Sequence, residues 1–439
     1  MSTDSALPTL PAPWLSTLPN GLRLVGLPLP WRQTVALSVF VRTGSLHEST
    51  RENGISHVVE HMAFKGTPTR NCQQLNLEAE RLGAEVNAHT DKDHTAFHLE
   101  GLPQDLPAFV DLLADIVLHG TFPEDELERE RQVILHELTE VQEDPAAMAF
   151  QAFDRACYGP QHPAGRPIIG QRRNIERFTR AELQRYVARQ YGAGHTVLAV
   201  AGPLNARQWK AFERDVASAF GDMPTGQAPQ VQAPAWHGGL KVQRLAGSSQ
   251  CQVVLGFEAP ALADEARGAP VAADVLAAAL LGEGMSSPLL DEIRERRGLA
   301  YYVACSADVL PLTGQFIIEA ATGAKEAPEY LQAVAELLAR LAQDGPAAVD
   351  LERARRQLWV RALRGLEAPA RRLEAAVQDL FIFGRLRDPL QGLQRLQEVD
   401  ARQVQDVFQR LLSGRAAIAL AGSVPQKVRD QATVRFRLS

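Results

Sequence analysis

His57, Glu60 and His61 are the residues of this sequence best placed to do chemistry. They stand in the run His57-Val58-Val59-Glu60-His61, with the histidines at i and i+4. At about 100° per residue, the three fall within roughly 100° of arc on one helix face. Two imidazoles one turn apart can grip one metal ion, and zinc takes nitrogen ligands from this spacing. A carboxylate between them can accept a proton from a water that the metal has acidified. The order is the reverse of the commoner zinc-protease helix. Histidines at this spacing also occur as surface or satisfied core residues, but the full five-residue pattern is seldom met by chance.

Two histidines leave a tetrahedral zinc short of one protein ligand and a water. Candidates lie on a helix expected from Phe122-Pro123 to about Glu143. Glu130 and Glu137 are seven residues apart there and share a face within about 20°. Their neighbours Glu124, Asp125, Glu126, Glu128, Glu140 and Glu143 read as a solvated acidic stripe, and spacing alone leaves the choice between Glu130 and Glu137 open. His136 sits about 100° round from Glu137 and is expected to point elsewhere. His89, His94 and His98 form a rival set across a turn and its flanking strands. No regular element puts all three on one face, so they read as ordinary strand and loop residues.

The elements that must position these groups follow from pattern. Asn20-Gly21 suggests a turn entering a strand over Leu22 to Leu27, and Thr34 to Arg42 alternates as a second strand. Gly54 to Phe64 is the histidine helix, followed by a helix over Asn71 to Leu82. Ala84 to Thr90 and Thr95 to Gly101 read as paired strands, with Asp91-Lys92-Asp93 at the turn. Helices are expected over Leu106 to Leu118, Ala146 to Cys157 and Asn205 to Phe220, and a strand over His195 to Ala201. Thr179 with Glu182 forms a capping box that opens a helix to Gln190.

The polar, Pro-containing stretch from Thr225 to Pro234 is the best linker in the chain. It divides residues 1–224 from 237–439, with 225–236 between them. The second half reads as a degenerate copy of the first. Gly194 to Gly202 recurs as Gly414 to Gly422, and the Thr179 helix recurs as a helix from Asp400. Leu127-Glu128-Arg129-Glu130-Arg131 recurs as Leu351-Glu352-Arg353-Ala354-Arg355. Where the first half has its histidine helix, the second has Ala272 to Leu281 without ligands, and Ala354 replaces Glu130. The expected fold is α+β: two homologous sandwich-like domains, each a mostly antiparallel sheet with helices packed on it.

Bulk composition narrows the function. Of 439 residues, 45% are apolar and 22% charged, which suits a globular chain of two or more domains. A net charge of −6 offers no basic field for nucleic acid or an anionic membrane. Cys72, Cys157, Cys251 and Cys305 form no Cys-x-x-Cys pair, which fits a reducing compartment. Met1 to Trp14 lacks Lys and Arg and shows no secretory or mitochondrial targeting pattern, and no apolar run is long enough for a membrane span. A cytoplasmic location is the expectation.

The run His57-Val58-Val59-Glu60-His61-Met62-Ala63-Phe64-Lys65-Gly66-Thr67 resembles the zinc helix of the pitrilysin/insulinase family, to which the mitochondrial processing peptidase belongs. The resemblance continues through Asn87-Ala88, Glu130 to Glu137, Gly165 to Gly170 and Ile293 to Tyr301, covering nearly the whole chain. It implies one Zn2+ per chain held by His57, His61 and Glu137, with Glu130 as an outer carboxylate. It implies that Glu60 is the general base for peptide hydrolysis. Asn87 and Ala88 would bind a substrate added as an edge strand, while Arg294 and Tyr301 would reach substrate from the metal-free domain. Arg294 also lies in a run with Arg296 and Arg297 that could be a solvated helix end. The implied activity is a zinc endopeptidase cutting oligopeptides in a chamber between paired subunits. A homodimer is expected, and a heterodimer with a metal-free paralogue is the main alternative. A processing protease for one precursor peptide, for instance in cofactor biosynthesis, and a non-catalytic subunit are the rival functions.

Overall fold

The computed structural model describes residues 10–227 and 230–436. The start of the segment read as free of targeting signals, two residues of the linker and the last three residues lie outside that range. The described chain divides into two units that are not contiguous in sequence. The first comprises residues 1–137, 167–231 and 365–387, and the second 138–166, 232–364 and 388–439.

The first unit is built on a six-stranded sheet: β1 (Trp14–Thr17), β2 (Arg23–Pro28), β3 (Val35–Val41), β4 (Glu85–Thr90), β5 (Thr95–Gly101) and β6 (Thr196–Gly202). Its order is β1-β2-β6-β3-β5-β4. Only β2 and β6 run parallel, and the other pairs are antiparallel. The short strand β1 is not foreseen by the pattern; its residues alternate between half-buried and exposed and carry no continuous apolar signal.

The second unit has a five-stranded sheet: β7 (Gly239–Arg244), β8 (Gln250–Ala259), β9 (Ala300–Val309), β10 (Gly314–Gly323) and β11 (Ala417–Gly422). Its order is β7-β11-β8-β10-β9, with β7 and β11 parallel. Removing β1 leaves the same order of strands in both sheets, including the position of the single parallel pair. That match makes both units α+β and gives the internal duplication a topological form.

Each sheet is covered by a helix encoded in the opposite half of the sequence. In the first unit, Leu373, Val377, Leu380 and Phe381 of the helix Pro369–Phe383 pack on Val25, Ala36, Phe40, Ala96, Val197 and Ala199. In the second, the helix Pro145–Tyr158 lies along β7, β8 and β11, and the Phe153 ring fills the space above Gly256. Burial of these apolar faces at about 25 cal/mol per Å² is the main term holding each helix to its sheet. No single helix among the described residues is long and apolar enough to cross a membrane.

Candidate metal and catalytic site

The histidine helix spans Ile55–Ala63. Ile55, Val58, Val59 and Met62 bury one face, which turns His57, Glu60 and His61 toward the partly open side. The start of the helix has no side-chain cap of its own, because its N-cap residue is Gly54, which has no side chain and adopts φ +101°. That conformation favours glycine, and a Cβ there would also lie 2.9 Å from the Cα of Gly170. The loop ending in Gly170 is thereby wedged against the helix. Asn53 Nδ2 donates to Pro167 O at 2.9 Å, which fastens the contact.

Glu48 supplies the missing cap. Its carboxylate accepts from the Gly54 N–H at 2.8 Å, the Ser56 N–H at 2.9 Å and Asn53 Nδ2 at 3.1 Å. Free N–H groups and the positive end of the helix dipole favour an anion there. Burial nevertheless pushes its carboxyl up to about 7, against those hydrogen bonds. Sequence reading misses Glu48 because it caps from outside the usual N-cap spacing.

The helix Glu124–Glu143 brings Glu137 to the histidines. Glu137 Oε2 lies 3.8 Å from His57 Nε2 and 3.7 Å from His61 Nε2. The His57 and His61 rings are 4.5 Å apart between centroids. The three ligand atoms lie within 4.8 Å of one another. Tetrahedral zinc with bonds of about 2.0–2.1 Å needs ligand atoms about 3.3 Å apart, so the two Glu137–histidine separations need close by only about half an ångström. Two imidazole nitrogens and a carboxylate are a donor set that zinc accepts, and the site fits the ion on these grounds.

Geometry separates the two glutamates. Glu130 does not face the Nε2 atoms; its Oε1 pairs with His61 Nδ1 at 3.1 Å and its Oε2 with Lys65 Nζ at 2.6 Å. A carboxylate on the far nitrogen fixes the ring and its tautomer. Burial opposes ionisation of Glu130, but the hydrogen bonds from His61 and Lys65 prevail and hold its carboxyl low. Lys65 is a further residue that sequence reading passes over, although it stands one turn after His61. Burial with His61 beside it lowers His57 to about 4, leaving the ring neutral as a ligand must be. Burial also pulls on His61, but Glu130, Glu137 and Glu60 together raise it. Glu60 is raised by burial first and by the Glu137 charge, against the Thr90 hydrogen bond. Thr90 Oγ1 donates to Glu60 Oε2 at 2.7 Å.

Thr90 ends β4, the edge strand that also carries Asn87 and Ala88. The Asn87 side chain is exposed and its Oδ1 accepts from the Ala88 N–H at 2.8 Å. His136 is exposed and outside the ligand cluster, as its helical offset requires. In the second unit, the Arg294 guanidinium lies 4.9 Å from the centre of the Tyr301 ring. Tyr301 is 84% exposed at the start of β9, the edge strand of that sheet. Arg294 also pairs with Glu295 at 3.4 Å, while Arg296 and Arg297 are engaged by Asp291, Glu292 and Glu336.

One reading is corrected. His89, His94 and His98 do come together: His89 Nε2 is 3.2 Å from His94 Nε2, and His98 Nε2 is 2.9 Å from His89 Nδ1. The register pairs Asn87 with His98 and His89 with Ala96, so His89 and His98 are diagonal neighbours on one sheet face. Treating each element singly hides a face made by two strands.

Comparison with known proteins gives the following. A family model described as Insulinase (Peptidase family M16) matches residues 29–172, and one described as Peptidase M16 inactive domain matches 177–358. A zinc protease of Mycobacterium tuberculosis is 33% identical over 429 residues, covering 95% of this chain and 96% of its own. The zinc protease YmxG of Bacillus subtilis is 29% identical over 413 residues, covering 93% and 98%. A crystal structure of a peptidase M16 inactive domain from Pseudomonas fluorescens aligns with a TM-score of 0.84 at 23% identity, over 94% of this chain and 98% of that one. A protease from Helicobacter pylori aligns with a TM-score of 0.82 at 22% identity, over 94% and 100%. These two structural likenesses concern the fold.

Proposed function

This chain belongs to peptidase family M16, the insulinase family, and on that premise we propose that it is a zinc endopeptidase of oligopeptides with Glu60 as general base. The observation that carries the reading is the convergence of His57 Nε2, His61 Nε2 and Glu137 Oε2, with Glu60 on the same helix. The relatives named as zinc proteases support the choice of metal.

Zinc held there would acidify a water and polarise the scissile carbonyl. Glu60 would take a proton from the attacking water and return it to the leaving amine. Its raised pKa suits a group that must both accept and release a proton, and Thr90 holds its carboxylate in one orientation. Glu130, neutralised in part by Lys65, would keep the His61 ring turned toward the ion. Asn87 and Ala88 lie on an edge strand whose outer backbone groups can pair with an extended peptide. Arg294 would bind substrate carbonyls, and the exposed Tyr301 hydroxyl would donate to the developing oxyanion. Subunits would pair, as a homodimer or with a metal-free paralogue, to enclose the peptide, in the cytoplasm.

Cleavage of a quenched oligopeptide should be chelator-sensitive and restored by Zn2+. Glu60→Gln should lower kcat by about 10²–10⁴ while zinc content stays at the wild-type level. An unchanged rate in that variant would remove Glu60 from the chemistry. A panel of unrelated peptides tests breadth: cleavage of one member alone would favour a dedicated processing protease.

A further inference from the structure

We propose that His89, His94 and Asp91 form a second site for a divalent transition metal, on the sheet face opposite the histidine helix. Alternation along β4 sends Thr90 toward Glu60 and His89 to the other side, where Ser38, Phe40, Ala96 and His98 share its face. A nitrogen from each ring and a carboxylate oxygen of Asp91 lie within 4.8 Å of one another. The 3.2 Å between His89 Nε2 and His94 Nε2 is close to the roughly 3.3 Å that two nitrogens keep on one tetrahedral zinc.

The outer partners are those a ligand pair requires. His94 Nδ1 lies 3.0 Å from Asp93 Oδ1, so its proton belongs there and Nε2 keeps its lone pair. His89 Nδ1 meets His98 Nε2 at 2.9 Å, and His98 Nδ1 meets Ser38 Oγ at 2.8 Å. With no metal, one proton lies between His89 Nε2 and His94 Nε2, and the chain runs Ser38 O–H to His98 to His89 to His94 to Asp93. Binding displaces that proton from between the two Nε2 atoms with no net release, since each of the three rings carries one proton before and after. The tautomers of His89 and His98 reverse, and the Ser38 hydroxyl turns from donor to acceptor. Every ring nitrogen stays satisfied in both states. Asp91, Asp93 and Glu374 all act on the His89 and His94 rings as negative charges, which suits a dication. His94 is buried while Asp91 is exposed and His89 half-exposed, so the pair is rigid at one end and open to solvent at the other. Imidazole-rich donors select zinc, nickel or copper over magnesium or calcium.

The test is metal stoichiometry on the full chain. Apo-protein dialysed against Zn2+ should hold two equivalents. His89→Gln should hold one and keep the equivalent that His61→Gln loses. Asp91→Ala, at an exposed turn, should weaken the second equivalent at least about tenfold. In His61→Gln, added Zn2+ should still raise the melting temperature, and adding His89→Gln should abolish that rise. A wild-type chain holding one equivalent, lost in His61→Gln and kept in His89→Gln, overturns the proposal. Two equivalents in His89→Gln would also overturn it. One equivalent lost only in His89→Gln would support this site and count against the one on the histidine helix.

Discussion

Arg131 in the first unit and Arg355 in the second do the same work at matched positions. Arg131 donates to Phe178 O at 3.0 Å and to Ile175 O, the carbonyls just before the Thr179-capped helix. Arg355 donates to Val399 O, the carbonyl just before the Asp400-capped helix. Each ties its long helix to the next one. One position earlier the units part. Glu130 Oε1 meets His61 Nδ1 at 3.1 Å, whereas Ala354 is fully buried among apolar side chains. The helices at the metal position differ likewise. Ile55–Ala63 shows imidazoles and a carboxylate, while Val271–Gly282 is Ala- and Leu-rich and is anchored by Asp274 to Arg410. Ser56 bonded to Tyr186 at 2.8 Å is the corresponding anchor in the first unit. Groups that hold the scaffold occur in both units; the paired histidines with a carboxylate between them occur only in the first.

Substitutions can break this comparison. The largest effect is expected from transplanting the chemistry alone. Ala354→Glu would place a carboxylate in an apolar core with neither His61 nor Lys65 to meet it, and should destabilise the second unit by about 3–5 kcal/mol in urea unfolding. Zinc content should not rise. Next, Arg131→Ala and Arg355→Ala should each cost about 1.5–3 kcal/mol, since each removes a charged donor from buried carbonyls. A large loss in only one would deny the shared role.

Glu48 has no counterpart among the features described for the second unit, and its effect depends on pH. Its carboxyl titrates near 7 when folded against an ordinary value of 4.5. Between those values the folded chain keeps a proton that the unfolded chain has lost. Its contribution is therefore full below pH 4.5 and is lost as pH rises through about 7. Glu48→Gln should flatten that part of the stability profile. A wild-type profile with the opposite slope, or one unchanged by the substitution, would show that the carboxyl is charged throughout. The smallest effect is expected at the caps: Thr179→Ala and Asp400→Ala should each cost about 1 kcal/mol, seen as faster amide exchange in the first turn of their helices.

Most elements were legible because their signals are local. The capping box at Thr179 marks a helix start within a residue, and the Glu85–Thr90 and Thr95–Gly101 hairpin follows from alternation around a polar turn. The spacing of His57, Glu60 and His61 was equally local. Choosing between Glu130 and Glu137 was not, since helical phase puts both on one face and only the packing angle decides which reaches the Nε2 atoms. The histidine chain on the other sheet face was misread because cross-strand register, not period, creates it. Nor could periodicity say that Pro145–Tyr158 and Pro369–Phe383 each cover the sheet of the other half. An amphipathic helix declares that it has an apolar face, not which surface receives it.

That exchange of helices bears on how the chain is made. A ribosome delivers residues in order, yet the first sheet receives Leu373, Val377, Leu380 and Phe381 only after most of the second unit has been synthesised. Until about residue 387 emerges, the nascent first unit exposes a greasy sheet face. Proteolysis at the linker before then would strand two halves, each holding the other's missing lid.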